Sequence, residues 1–152
     1  MKKAVFPGSF DPFTNGHHSI IERAIPIFDE IIIGIGNNSK KKYLFPLENR
    51  IKALEVLYQK QPKVKVQAYE GLTVNFCKSI EANYIVRGLR TAADFEYERT
   101  IAQMNNALVP QLETIFFLSH PNLSALSSTV VRDIYVNGGD VKQFLPEGYP
   151  IL

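Results

Sequence analysis

Five short apolar runs, with segments of helical character between and after them, constrain this chain more than any other feature. The runs are Lys3–Phe6, Glu30–Ile35, Val64–Ala68, Tyr84–Val86 and Glu113–Leu118, rich in Ile, Val and Phe, and they read as continuous rather than alternating. Continuous apolar strands are covered on both faces, as in parallel sheets. Helices are expected over His18–Phe28, Leu47–Gln59, Thr73–Glu81, Ala93–Leu108 and Ser128–Asn137. In the second of these, Leu47, Ile51, Leu54 and Leu57 fall on one stripe, as an amphipathic helix requires. Strand–helix alternation predicts an α/β fold built on a doubly wound parallel sheet. A length of 152 residues fits a single domain over residues 1–152.

In such sheets ligands bind outside the carboxyl ends of the strands, near the switch in strand order. Polar or glycine-bearing segments follow every predicted strand: Gly8–His17, Gly36–Lys42, Tyr69–Thr73, Arg87–Arg90 and Ser119–Thr129. They are expected to converge on one edge. The first combines glycines and hydroxyls in a strand-to-helix turn, Gly8-Ser9-Phe10-Asp11-Pro12-Phe13-Thr14-Asn15-Gly16-His17. Unpaired N–H groups at a helix start and the helix dipole favour an anion there. His17 falls in the first helical turn, where an imidazole can donate to a phosphoryl oxygen. His18 points about 100° away around the helix and reads as a surface residue.

Charge and cysteine usage narrow the function classes. Seventeen basic against fifteen acidic residues give a net charge of +2, no footprint for non-specific nucleic-acid binding. Anion binding must therefore come from local clusters. The one cysteine, Cys77, allows no disulfide within the chain and reads as a small core residue. No apolar stretch approaches the ~18 residues of a membrane span, and the N-terminal apolar run is too short for a secretory signal. A cytoplasmic protein is expected.

Three clusters fit anion chemistry. Lys40-Lys41-Lys42 reads either as a solvated loop or as the source of one phosphate-binding lysine, and spacing does not choose among the three. Arg87-Gly88-Leu89-Arg90 brackets a glycine with two arginines that can grip phosphate bidentately or pair with Asp94, Glu96 or Glu98. Ser127-Ser128-Thr129 opens a helix, where hydroxyls serve equally well as caps or as anion ligands. No Cys/His grouping has metal-ligand spacing, and no Walker-type lysine loop is present.

Taken together, Pro7-Gly8-Ser9-Phe10-Asp11-Pro12, Thr14-Asn15-Gly16-His17, Arg87-Gly88-Leu89-Arg90, Asp94-Phe95-Glu96-Tyr97-Glu98, Met104-Asn105, Ser127-Ser128-Thr129 and the late Gly139-Asp140-Val141 and Phe144-Leu145-Pro146 resemble the phosphopantetheine adenylyltransferases. The resemblance covers nearly the whole chain. It implies a Rossmann-like nucleotidyltransferase fold and transfer of the adenylyl group of ATP to 4'-phosphopantetheine, giving dephospho-coenzyme A and pyrophosphate. It further implies magnesium bound with ATP, and a homohexamer. Carried over by position, His17 is implied as transition-state stabiliser and ATP contact. Ser9, Lys41, Thr73 and Arg87 are implied as acceptor-binding residues. Ser9, Phe10, Gly88, Leu89, Arg90 and Glu98 are implied on ATP, with Leu123, Ser124, Ala125, Leu126, Ser127, Ser128 and Thr129 around it. Ser9 stands where threonine is common, Leu123 where some members carry tryptophan, and Arg132 where lysine is common. The alternatives are an adenylyl- or cytidylyltransferase acting on another phosphorylated acceptor, such as nicotinate mononucleotide, and a nucleotide-binding module without catalysis.

Overall fold

The computed structural model describes residues 1–151. The five apolar runs form strands β1 (Lys3–Gly8), β2 (Glu30–Gly36), β3 (Val64–Tyr69), β4 (Tyr84–Leu89) and β5 (Glu113–Leu118). Five helices alternate with them: α1 (Asn15–Ala24), α2 (Leu47–Tyr58), α3 (Thr73–Ser79), α4 (Ala92–Leu108) and α5 (Ser128–Val136). All pairings are parallel, in the order β3-β2-β1-β4-β5. The chain therefore builds outward from β1 to β3 and then returns to lay β4 against the other side of β1. That reversal is the switch point of a doubly wound sheet.

Each face of the sheet carries its own apolar core. Phe6, Ile20, Ile21, Ile31, Ile33, Ile35, Leu54 and Val86 pack on one side, and Val5, Ile32, Val74, Cys77, Ile85 and Leu112 on the other. Cys77 is a fully buried free thiol, as its apolar neighbours imply. β1 and β2 are buried along almost their whole length, which accounts for their unbroken apolar sequence. β3 differs from the expected continuous pattern. It is an edge strand of sequence VKVQAY whose lysine and glutamine are exposed or half-exposed, so its apolar positions alternate.

Two strands run further than their apolar runs. β4 continues through Arg87, Gly88 and Leu89, which the sequence placed beyond the strand. β1 continues through Pro7 and Gly8 and stays paired with β2 as far as Gly8–Ile35. Its ladder with β4 stops earlier, at Val5–Ile85. Pro7 brings no N–H to a ladder. The two central strands thus part at their carboxyl ends. There Arg87 Nη1 donates to the Pro7 carbonyl across the gap at 2.7 Å.

Candidate active site

The loop from β1 into α1 is held as a rigid turn. Phe10, Asp11, Pro12, Phe13 and Thr14 are all buried, and Phe10 takes a positive φ of 48°. Gly8 makes this possible, because a Cβ there would meet the Phe10 ring at 2.8 Å. Asp11 accepts the N–H groups of Leu44 and Phe45 at 2.8 and 2.9 Å. Ser128 Oγ donates to the Pro12 carbonyl at 2.8 Å, tying the turn to the start of α5.

His17 completes that turn. Its Nδ1 accepts the Thr14 N–H at 3.0 Å, so in the neutral ring the proton sits on Nε2. Phe6, Phe10 and Phe13 surround the imidazole at centroid distances of 6.1, 5.1 and 5.3 Å. Burial, followed by the positive charges of Arg87 and Arg90, pushes its pKa down to about 3. His17 is therefore a neutral hydrogen-bond donor at physiological pH, not a cation. His18 corrects the surface reading: its ring is half-buried and its Nδ1 lies 2.8 Å from the Tyr58 hydroxyl.

Two cavities open at the parted strands. One, of about 490 Å³, is lined by Gly8, Phe10, Thr14, Gly16, His17, Gly88, Arg90, Glu98, Leu123, Leu126 and Ser127–Thr129, among others. The other, of about 770 Å³, is lined by Ser9, Lys41, Tyr69, Thr73, Ile101 and Asn105, among others. Pro7, Gly8, Arg87 and Glu98 border both. All four residues expected to bind the acceptor, Ser9, Lys41, Thr73 and Arg87, thus fall on one cavity. Most of the residues expected on ATP fall on the other. Ser9, expected on both substrates, lines only the larger one. Leu89 is buried in the sheet, and Leu89, Ser124 and Ala125 do not line the smaller cavity.

Among the three lysines, Lys41 is the one whose Nζ donates to Ser9 Oγ, at 3.0 Å. Arg87 is gripped bidentately by Glu98, at 3.0 Å from Nε and 2.6 Å from Nη2. With Nη1 on Pro7, three of its five N–H donors are taken and two remain for a ligand. The ion pair does not occupy the whole guanidinium, and Glu98 aims it along the gap with donors to spare. Arg90 is steered likewise by Asp94, whose Oδ2 accepts the Arg90 N–H at 3.0 Å, and by the Leu126 carbonyl at 3.2 Å. Ser127 caps α5, its hydroxyl accepting the Val130 N–H at 3.3 Å.

Asp11 and Arg50 were not singled out from the sequence as site residues. Both are charged yet buried, and the bonds that tie the two segments together span 33 to 41 residues. The one short-range partner, the Phe45 carbonyl five residues before Arg50, is a main-chain group that leaves no mark in the sequence. Among the described residues no group of three or more His, Cys, Asp or Glu is placed to hold a metal ion. No helix among them is long and apolar enough to cross a membrane.

Similarity to known proteins identifies the family. A cytidylyltransferase-like family profile matches residues 5–134. A phosphopantetheine adenylyltransferase of Bacteroides thetaiotaomicron is 50% identical over 151 residues, covering 99% of both chains. The Flavobacterium psychrophilum enzyme of the same name is 52% identical over 147 residues, covering 97% of each. This chain belongs to the phosphopantetheine adenylyltransferases. The family is one of nucleotidyltransferase enzymes, and the chain spans nearly the full length of these relatives. The fold extends further. A bifunctional NMN adenylyltransferase/ADP ribose pyrophosphatase from Francisella tularensis, solved with AMP and a manganese ion, superposes with a TM-score of 0.68 at 23% identity. That likeness covers 95% of this chain but 44% of the larger protein, and it speaks for the fold alone.

Proposed function

We propose that the smaller cavity takes ATP, the larger one 4'-phosphopantetheine, and that the adenylyl group passes between them at Gly8 and Arg87. The reaction is reversible transfer of AMP from ATP to the acceptor phosphate, giving dephospho-coenzyme A and pyrophosphate. An acceptor phosphate oxygen forms a bond to the α-phosphorus, and the bond from that phosphorus to the α–β bridging oxygen breaks, that oxygen leaving as a terminal oxygen of pyrophosphate. Both reactants are anions, so the chain's task is positioning and charge neutralisation, with no covalent intermediate. Lys41 and Ser9 hold the acceptor phosphate, with Arg87 at the boundary and Thr73 on the acceptor arm. The His17 Nε2–H donates to the α-phosphoryl oxygen as charge builds there. A neutral ring suits this role, because it donates without first having to gain a proton. Arg90, the backbone of Gly88 and Leu89, Glu98 through Arg87, and the Leu123–Thr129 segment at the α5 N-terminus hold the nucleotide.

The observation that carries this reading is the pair of cavities meeting at one strand gap, with His17 on one and Lys41 on the other. A divalent ion, magnesium in our reading, fits as part of the ATP, since the described residues build no carboxylate cage for it. When bound it neutralises triphosphate charge. Residues 1–152 act as one catalytic domain, in the cytoplasm where ATP is supplied. The homohexamer implied by the resemblance has a surface suited to it. On α4, Tyr97, Ile101, Met104 and Leu108 form an exposed apolar stripe.

The test is pyrophosphate release from Mg-ATP with 4'-phosphopantetheine, without it, and with nicotinate mononucleotide. Release that needs phosphopantetheine and yields dephospho-coenzyme A is expected. Release with the mononucleotide instead would overturn the acceptor, and none with either would overturn catalysis.

A further inference from the structure

Lys41 lies in the connection between β2 and α2, far in sequence from the Ser9 hydroxyl it contacts. Two buried charged side chains join these segments. Asp11, 2% exposed, accepts both the Leu44 and the Phe45 N–H. Arg50, 1% exposed, donates from Nη1 to the Ser9 carbonyl at 2.7 Å and from Nε to the Phe45 carbonyl at 3.0 Å. Its guanidinium also lies over the Tyr43 ring, 4.2 Å from the centroid, and the other side-chain cation near that ring is Lys41, at 5.4 Å. Arg132 adds a bond from Nη1 to the Asp11 carbonyl at 2.8 Å. Burial pulls the Arg50 pKa down, and the nearby Asp11 charge opposes that pull. Neither Asp11 nor Arg50 lines either substrate cavity.

We propose that Asp11 and Arg50 form a positioning clamp that sets the Lys41 ammonium against Ser9, and thereby the acceptor phosphate against the α-phosphorus. The clamp works through main-chain atoms: one carboxylate spans two successive N–H groups, and one guanidinium spans carbonyls of both segments. Only a planar fork does the latter, so lysine at position 50 keeps the charge but not the span. Asparagine at position 11 turns an NH₂ toward one of the two N–H donors. The proposal rests on the reading of Lys41 as an acceptor-phosphate ligand.

The experiment measures kcat and both KM values for Arg50→Lys and Asp11→Asn, each alone and combined with Lys41→Ala, on the full-length enzyme with thermal midpoints recorded. A displacement of about 1 Å in a reacting group costs on the order of 100-fold in rate. We expect a 10- to 100-fold loss of kcat in either single variant, with the KM for ATP within about twofold. In the Lys41→Ala background the same substitution should cost less than about threefold, since the residue it positions is gone. Equal losses in both backgrounds would overturn the clamp in favour of a general structural role. So would an unchanged kcat in a folded variant, or failure of both variants to fold. If Lys41→Ala alone leaves kcat intact, the lysine assignment itself fails, and that outcome is read from the single variant.

Discussion

The β1–α1 turn and the β5–α5 connection both leave the carboxyl end of a strand, and both end at a helix N-terminus on the same cavity. In the first, five successive residues from Phe10 to Thr14 are buried, and bonds reach it from the β2–α2 connection, α2 and α5. In the second, His120, Pro121, Asn122, Ser124 and Ala125 are exposed, and most of its bonds are local. Its ties to distant segments are the Arg90 bond to the Leu126 carbonyl and, next to the strand end, the Ser119 N–H on the Leu89 carbonyl. In the proposed reaction the rigid loop carries His17, the group that meets a developing charge at one angle. In that proposed reaction the open loop surrounds a nucleotide, which tolerates looser fit and must also come and go. Pre-organisation is concentrated where the transition state differs from the bound substrate.

The sharpest way to break that contrast is His17→Ala. Loss of one aligned donor is expected to lower kcat by about 10²–10³-fold, or ~3–4 kcal/mol, with little change in the KM for ATP. Steady-state kinetics at saturating acceptor decide it. Equal losses in kcat and ATP affinity would mean that the ring binds nucleotide like the loose loop does.

Gly8→Ala comes next. Its new Cβ would collide with the Phe10 ring, which itself packs on His17, so overpacking of about 1–3 kcal/mol is expected along with a fall in kcat. Thermal unfolding of the variant checks the first part. A variant with wild-type stability and rate would show the turn to be as yielding as its counterpart.

Acid should act on the rigid side as well. His17 takes up its proton near pH 3 when folded and near 6.5 when unfolded, so between those values the unfolded chain holds more protons. Its contribution is complete above pH 6.5 and shrinks as pH falls, by about 1.4 kcal/mol per unit. Urea midpoints at pH 7 and pH 5 should therefore differ more for the wild type than for His17→Gln.

The smallest effect is predicted on the open side. Ser127→Ala removes the α5 cap and should cost about 1 kcal/mol of stability, raising the KM for ATP a few-fold while sparing kcat. A large kcat loss instead would promote that loop to part of the rigid frame.

The centre of the sheet was legible because the unbroken apolar runs of β1 and β2 are satisfied by burial on both faces, whereas the edge strands β3 and β5 are only partly covered. β4 outruns its apolar stretch, which Arg87 and Gly88 interrupt. Arg87 continues a strand only where Glu98, eleven residues on, and the Pro7 carbonyl receive its charge and donors. Asp11 and Arg50 escaped for a similar reason. A charged residue reads as solvated unless its partners are visible, and here the partners are main-chain groups, most of them on distant segments. Lys41 could not be told from Lys40 and Lys42, because three identical side chains differ only in what the folded loop brings near them.

The early end of the β1–β4 ladder also bears on how such an enzyme changes over time. The cleft is opened by backbone, at a proline and a register that side-chain substitutions on its walls leave in place. On the proposed assignment of the cavities, residues lining the acceptor side can change, and preferences among acceptors with them, without disturbing the fork or the histidine beside it. A split in the middle of a sheet is a heritable blank, on which new specificities can be written without rebuilding the scaffold.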